Sequence, residues 1–142
     1  MKKSTDELMN ILKSKKSVDE YFSENDDEIF FGALSDLINY YIATKKLEKS
    51  EVVRKSGMNR GYCYEILSGK KEKNISRDKV IMICFGLGLS IEESEQLLKK
   101  SGYNPLYSRD TRDSIIAFSL KEGIGIIDTN IKLSEYNLEI LE

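Results

Sequence analysis

The amino-acid sequence predicts an all-α protein, and three features of the chain lead to this prediction. Apolar residues recur at spacings of three and four over most of its length, which is the period of an amphipathic helix. Alternating runs of β-branched residues, which are typical of strands, are few, and Pro105 is the one proline among 142 residues. Glycines stand at helix-length intervals, where they can end a helix. The 40 Leu, Ile, Val and Phe residues suffice for a packed core.

The N-terminal part of the chain, residues 1–27, is predicted to hold two short helices. Ser4 or Thr5 can cap the first helix, and Ser17 opens the second. The acidic cluster 25–28 comes next, and negative charge favours a helix N-terminus. We therefore expect a longer amphipathic helix directly after this cluster.

Four short helices are predicted to follow, each with a glycine at its end. Ser and Asn side chains can accept a hydrogen bond from first-turn amides, and glycine adopts the left-handed conformation that ends a helix. The helices are Ser50–Ser56, one from the Asn59 cap to Ser68, one that Ser76 caps and one that Ser90 caps, and they end at Gly57, Gly69, Gly88 and Gly102. With the amphipathic helix they form a predicted domain over residues 28–106.

The last third of the chain repeats the part before it at an offset of 35 residues. Residues 76–106 and 111–141 match at seven of 31 positions, which include the Arg-Asp pairs at 77–78 and 112–113. Each copy has the pattern of two helices joined by a glycine turn, so residues 107–142 are predicted to form a helical hairpin that stacks on the first copy. Chance similarity between amphipathic helices is the alternative explanation. Each Asp lies at a helix start, where a carboxylate offsets the helix dipole.

The net charge of −2 conceals a basic segment. Residues 45–79 contain 11 Lys and Arg against 5 Asp and Glu, for a local charge of +6, and the chain on both sides is acidic. Such a cluster can neutralise the phosphates of a nucleic acid, and it is also compatible with an ordinary lysine-rich surface. Charge alone does not separate these two interpretations.

Residues 47–71 carry the pattern of a helix-turn-helix, in which two short helices flank a glycine turn. The second helix presents Arg60, Tyr64 and Ser68 at four-residue steps, a polar face that can enter a major groove, where Arg pairs with guanine and Asn with adenine. Lysines flank it at positions suited to phosphate contacts. The apolar residues that let the helices cross are Val52, Val53, Met58, Cys63 and Ile66. The candidate DNA-contacting residues are Lys49, Asn59, Arg60, Gly61, Tyr64, Ser68, Lys70, Lys71 and Lys73.

A wider set of residues carries a family resemblance. The set comprises Leu47, Glu51-Val52-Val53, Lys55-Ser56-Gly57-Met58, Asn59-Arg60-Gly61-Tyr62-Cys63, Ile66, Ser68-Gly69-Lys70-Lys71 and Leu87-Gly88-Leu89-Ser90. On these residues, the stretch from Leu34 to Leu98 resembles the lambda-repressor-like (XRE-type) helix-turn-helix family.

The resemblance implies a five-helix domain in a bacterial or phage transcription regulator, often dimeric, that binds double-stranded DNA. It implies a phosphate contact for Lys49 and contacts to bases or backbone for residues 59–61 and Tyr64. The chain differs from the family at Glu65, where a basic residue is common, and at Leu67.

Missing residue types argue against several classes of function. The chain has no histidine and no pair of carboxylates in a recognisable catalytic arrangement, so we expect no enzyme activity, no metal site and no cofactor. The glycines of residues 122–126 are interpreted as an interhelical turn. The N-terminus carries charge where a signal peptide needs apolar residues, and no apolar run reaches the length of a bilayer span. Because Cys63 and Cys84 are the only cysteines, these features favour a cytoplasmic location.

The alternative to DNA binding is a protein-interaction adaptor that keeps the helix-turn-helix fold. Glu65, the acidic ends of the chain and the additional C-terminal hairpin favour this alternative. The hairpin would then bind a partner protein or a second copy of the chain. The aliphatic residues expected at that interface are Ile126, Ile127, Ile131, Leu138 and Ile140.

Overall fold

The computed structural model describes residues 4–14 and 33–142, and all regular secondary structure within these ranges is helical. The all-α prediction is thereby confirmed for the described residues. The helix predicted after Ser17 and the acidic cluster 25–28 lie outside them. The helices are α1 (Thr5–Ser14), α2 (Leu34–Thr44), α3 (Lys49–Ser56), α4 (Arg60–Ser68), α5 (Arg77–Leu87), α6 (Ile91–Lys100), α7 (Thr111–Glu122) and α8 (Ile126–Glu135).

The chain divides into two compact units, and α1 belongs to the first, Met1–Phe31. The Ser4 Oγ accepts a hydrogen bond from the Glu7 amide at 3.1 Å, which confirms the predicted cap. The second unit, Gly32–Glu142, contains the other seven described helices. Within the described residues, no helix combines the length and the apolar character that a bilayer crossing requires.

The structure confirms the predicted helix ends of the second unit. The predicted residues either cap the first turn of a helix or end a helix in the left-handed conformation. Three side chains cap helices, namely Asn59 on the amide of Tyr62, Ser76 on that of Lys79 and Ser90 on that of Glu93, at 3.0, 3.2 and 3.1 Å. Four glycines adopt the left-handed conformation at the ends, namely Gly57, Gly69, Gly88 and Gly102. The helix predicted from Ser50 starts one residue earlier, at Lys49.

The helices α3 and α5 cross at Gly86, where the two backbones approach closely. A Cβ atom added at Gly86 would lie 2.5 Å from the carbonyl oxygen of Val52 and 3.2 Å from the Cβ of Ser56, so only glycine leaves room for α3.

The surrounding core contains all the apolar residues predicted to pack α3 against α4, and both cysteines. Burial raises the pKa of Cys84 to about 12, so its thiol stays protonated at neutral pH.

The sequence echo corresponds to a repeated structure, in which α7 and α8 follow the pattern of α5 and α6. The turn after α5 is closed by a hydrogen bond from the Leu89 amide to the Cys84 carbonyl at 3.1 Å. The equivalent bond after α7 joins Ile124 to Ser119 at 2.9 Å, 35 residues further along. The similarity between the copies therefore extends to individual backbone hydrogen bonds.

The two copies differ at the starts of their helices. Asp110 caps α7, and its Oδ1 accepts a hydrogen bond from the Asp113 amide at 2.8 Å. The cap thus precedes Thr111, which the alignment of the copies pairs with the Ser76 cap. Gly125 precedes α8 and has no side chain with which to cap it.

Two reciprocal ion pairs join the copies. The Arg77 guanidinium donates to the two carboxylate oxygens of Asp113 at 3.0 and 2.8 Å. The Arg112 guanidinium donates to the two oxygens of Asp78 at 2.8 and 2.8 Å. Exchanging the copies converts one pair into the other, which is the relation that a two-fold axis produces. These aspartates, for which the sequence predicts only an effect on the helix dipole, are therefore each bound by the arginine of the other copy.

We expect Gly86→Ala to lower the free energy of unfolding by about 3 kcal/mol, because the added methyl group would overlap the Val52 carbonyl. Gly61→Ala is the matched control in an exposed part of a helix, where a Cβ would meet only Asn59 Oδ1 at 3.5 Å. That change is expected to raise the free energy of unfolding by up to about 1 kcal/mol. Chemical denaturation measures both. A Gly86→Ala protein as stable as the wild type would contradict the close crossing.

We expect Asp113→Asn to be more destabilising than Asp78→Asn, its counterpart in the other copy. The Asp113 side chain is 9% exposed and that of Asp78 is 32% exposed, so the first change removes the more buried carboxylate of the two. We predict losses in the free energy of unfolding of about 3 kcal/mol and about 1 kcal/mol, respectively. Urea denaturation of the two variants tests the difference, and equal losses would refute it.

The same residue should make stability depend on pH. Burial opposes ionisation of Asp113, but hydrogen bonds from Arg77 and the Tyr107 amide outweigh it and hold the pKa of the carboxyl below its usual value. The unfolded chain has an Asp pKa of about 3.9, so this stabilisation is present above that pH and is lost as the pH falls through the lowered native pKa. Thermal unfolding across this acidic range should show a smaller loss for Asp113→Asn than for the wild type.

Candidate nucleic-acid interface

Three residues, Gly57, Met58 and Asn59, connect α3 to α4, and hydrogen bonds fix their conformation. Gly57 is left-handed, with a φ of 71°. The Ser56 Oγ accepts a hydrogen bond from the Met58 amide at 3.2 Å and donates one to the Val53 carbonyl at 2.7 Å. Because Ser56 and Met58 are buried, the connection is anchored in the core and α4 leaves it in a fixed direction.

Asn59 begins α4 as its N-cap, and this role limits its contacts with a ligand. Its Oδ1 accepts the hydrogen bond from the Tyr62 amide. Bidentate pairing with adenine uses both the oxygen and the nitrogen of an Asn side chain. With the cap in place, one lone pair of the Oδ1 is used, while the Nδ2 of Asn59 keeps both of its hydrogens for DNA.

The helix α4 presents polar residues to solvent and apolar residues to the core. The buried residues are Cys63, Ile66 and Leu67, and the exposed ones are Arg60, Gly61 and Ser68. The Nδ2 of Asn39 on α2 donates a hydrogen bond to the Leu67 carbonyl at 2.8 Å, so α2 holds the C-terminal end of α4. The polar face predicted from the sequence therefore lies at the surface, on a helix anchored at both ends.

Arg60 and Tyr64 lie one helical turn apart and contact each other. The guanidinium carbon of Arg60 is 5.8 Å from the centroid of the Tyr64 ring, a cation–π distance. Tyr64 is half-buried and packs against the core. Arg60 forms no ion pair with any carboxylate of the described residues, so its donors remain open to a ligand.

Ser68, by contrast, uses its hydroxyl within the chain. Its Oγ donates to the Glu65 carbonyl at 3.2 Å and accepts from the Lys70 amide at 3.4 Å. Both bonds stabilise the end of α4 and the connection after it. We therefore assign Ser68 a local structural role besides its predicted place on the polar face.

The candidate lysines lie in two places on the surface. Lys49 is the first residue of α3, and Lys70, Lys71 and Lys73 lie in the connection after α4. Within the described ranges, none of them forms an ion pair. The helix α4 has 9 residues and is about 13 Å long, so Arg60 and the three-lysine connection are at opposite ends of it. The structure thus brings Arg60 and Tyr64 together and places Lys70, Lys71 and Lys73 at the other end of α4 from Arg60.

Three other basic residues of the segment 45–79 are already paired. The pairs are Lys45 with Glu93 at 3.1 Å, Arg54 with Glu51 at 2.7 Å and Arg77 with Asp113 at 2.8 Å. The local charge of +6 therefore overstates what is available to a polyanion. The open positive charge lies at the start of α3, the start of α4 and the connection after α4, and also on Lys46, Lys55 and Lys79, which form no ion pair within the described residues.

The C-terminal hairpin exposes only part of the apolar surface predicted for a partner. Ile127 is 75% exposed, and Ile131 and Phe118 are also exposed. Ile126, which the sequence places at the same interface, is buried, because its side chain packs against the turn at Gly57. A Cβ atom at Gly57 would lie 2.9 Å from the Ile126 Cγ2. The other two predicted interface residues, Leu138 and Ile140, are half-buried against the core.

The structure also contains a cavity that the sequence does not predict. It has a volume of about 450 Å³ and lies where the turn between α7 and α8 meets the ends of α3 and α5. The glycines of residues 122–126 form the interhelical turn predicted for them, and this turn lines the cavity. The one sequence signal of this cavity is that Gly125 in the second copy stands at the position of Ser90 in the first.

In the described part of the chain, no three His, Cys, Asp or Glu side chains are grouped as a metal site.

Comparison with known proteins adds no relative. No protein-family model, curated protein or solved structure matches the chain. The interpretation of this surface accordingly depends on its own residues and geometry.

Proposed function

We propose that the protein is a DNA-binding transcription regulator that reads double-stranded DNA with α4 in the major groove. In this proposal, α2–α6 form the five-helix arrangement of the lambda-repressor-like family, and α3, the Gly57 turn and α4 are its helix-turn-helix. The family resemblance extends the proposal to a sequence-specific regulator in the cytoplasm of a bacterium or in a phage-infected cell.

The observation that carries the proposal is the exposed start of α4, where an open arginine stands beside a glycine that the fold does not need. A Cβ at Gly61 would meet only Asn59 Oδ1, at an ordinary contact distance. Glycine inside a helix costs about 1 kcal/mol relative to alanine, so stability alone would favour a replacement. What Gly61 permits is the close approach of another molecule to the backbone. Arg60 next to it can bind guanine through two hydrogen bonds.

The lysines support the same proposal from the two flanks of α4. Lys49 and the connection that holds Lys70, Lys71 and Lys73 are suited to the phosphates on either side of a groove. Glu65, half-buried on α4, would repel phosphates and lower the affinity. This arrangement predicts modest affinity with a strong dependence on salt.

The adaptor remains the second candidate, and the exposed residues of α8 favour it. Ile127 and Ile131 are four residues apart, so they lie on one face of the helix. An exposed aliphatic stripe of this kind is suited to a protein partner or a second copy of the chain. In this case, the helix-turn-helix would serve only as a scaffold.

We expect duplex DNA binding to weaken steeply with salt, and a loss of lysines after α4 to reduce that dependence. In fluorescence anisotropy across a salt series, Lys70→Ala/Lys71→Ala should flatten the slope of log affinity against log salt by about 1 to 2. Lys99→Ala/Lys100→Ala is the matched control, since its first lysine is exposed and its second is half-buried, as at 70 and 71. Equal slopes for both double variants would remove the DNA proposal and favour the adaptor.

Gly61→Ala should separate folding from binding, because the two effects have opposite signs. The free energy of unfolding should rise by up to about 1 kcal/mol, while DNA affinity falls by at least about tenfold as the methyl group blocks the backbone. The same anisotropy titration measures the affinity, and denaturation measures the stability. A variant that is more stable and binds equally well would show that α4 does not approach DNA at this residue.

A further inference from the structure

The cavity beside the α7–α8 turn is shaped for a small molecule with an apolar body. Its volume of about 450 Å³ is within the range of small-ligand sites. Phe85, Leu89 and Leu120 line it, together with backbone at the start of α8. None of these groups belongs to the proposed DNA-binding surface.

The start of α8 offers this cavity open backbone donors. Its N-cap is Gly125, and the amides of residues 126–128 form no hydrogen bond with any described residue. In the first copy, the same position is closed, because Ser90 and Glu93 form a reciprocal capping box. The turn bonds to Leu89 and Ile124 satisfy the carbonyls of Cys84 and Ser119 near the ends of α5 and α7. The positive end of α8 therefore offers open backbone donors at this cavity.

The Ser119 hydroxyl is a second polar group that faces the cavity, independent of the helix end. Ser119 lines the cavity and is only 3% exposed, yet its hydroxyl has no hydrogen-bond partner among the described residues. Its oxygen is not among the fully buried ones without a partner, which in the described part of the chain are those of Ser94 and Ser101, so it is accessible from the cavity. In the first copy the equivalent residue is Cys84, which is buried in the core.

The charged groups around the cavity favour an anion. Arg54 and Lys55 line it from the end of α3, and Asp128 is the one acidic residue among the lining side chains. Arg54 is bound to Glu51, whereas Lys55 forms no ion pair within the described ranges. The open amides of α8 add to the positive side of this balance.

We propose that this cavity binds a small organic carboxylate. The carboxylate accepts hydrogen bonds from the amides at the start of α8 and from the Ser119 hydroxyl, and Lys55 neutralises part of its charge. The apolar body of the ligand lies against Phe85, Leu89 and Leu120. This assignment does not rest on the proposed function, because no residue that holds the carboxylate takes part in DNA binding.

Three probes test the two halves of the proposed ligand separately. Octanoate has both a carboxylate and an apolar body, 1-octanol has only the body, and acetate has only the carboxylate. Calorimetry of the full chain should show octanoate binding at least about tenfold more tightly than either of the others. Amide NMR shifts on octanoate addition should centre on residues 125–128. Equal affinities for octanoate and 1-octanol, or shifts centred elsewhere, would overturn the proposal.

Variants at Gly125 and Ser119 keep the test independent of folding. Gly125→Ser would recreate the cap of the first copy, and a side chain there meets no atom within 4 Å, so the protein should be at least as stable as the wild type. Octanoate affinity should fall about tenfold, because the new hydroxyl occupies one of the amides. Gly125→Ala, which adds no cap, is the matched control and should bind within about twofold of the wild type. Ser119→Ala should weaken octanoate binding without loss of stability, and unchanged binding in both Gly125→Ser and Ser119→Ala would refute the site.

Discussion

The close backbone contact between α3 and α5 at Gly86 is the constraint on which the rest of the second unit depends. It sets the position of α3, and the buried hydroxyl of Ser56 then ties the end of α3 to the turn that follows. The turn sets the direction of α4, and Asn39 on α2 holds the other end of that helix. The exposed polar face is thus positioned by contacts that are themselves buried, and it needs no long side chains to hold it in place.

Helix ends were the best predicted part of this fold, because their causes are local. A glycine that turns left-handed, or a serine that bonds to an amide three residues ahead, acts within one turn of the chain. The contacts between helices carry no comparable signal in a single sequence. Nothing in the sequence indicates that Gly86 faces a backbone while Gly61 faces solvent, or that Ile126 would be buried against Gly57. The cap of α7 is Asp110 and not Thr111, the residue aligned with Ser76, because both residue types can cap a helix and the backbone geometry decides between them.

The candidate site was predictable in its residues and less so in its charge state. Spacing along α4 was enough to place Arg60 and Ser68 at the surface, whereas Tyr64 is half-buried against the core. The ion pairs of the basic residues could not be predicted from spacing. Arg77 meets its carboxylate across 36 positions of the chain, and Lys45 meets Glu93 across 48. The hydroxyl of Ser68 and the Oδ1 of Asn59 were also taken up by the backbone. A count of charges or of polar groups therefore overestimates what a surface can offer to a partner.

The exchange symmetry of the Arg77–Asp113 and Arg112–Asp78 pairs has a consequence for assembly. In two separate chains, a contact of this kind would form according to mass action and would dissociate on dilution. Here a tether of a few tens of residues keeps the two halves at an effective concentration on the order of millimolar, whatever the amount of protein present. The chain thereby has within one molecule an interface of the type that usually joins two. The second copy also lacks the steric constraint that α3 places on the first. Lys121 occupies the position that is equivalent to Gly86, where the first copy has room only for glycine.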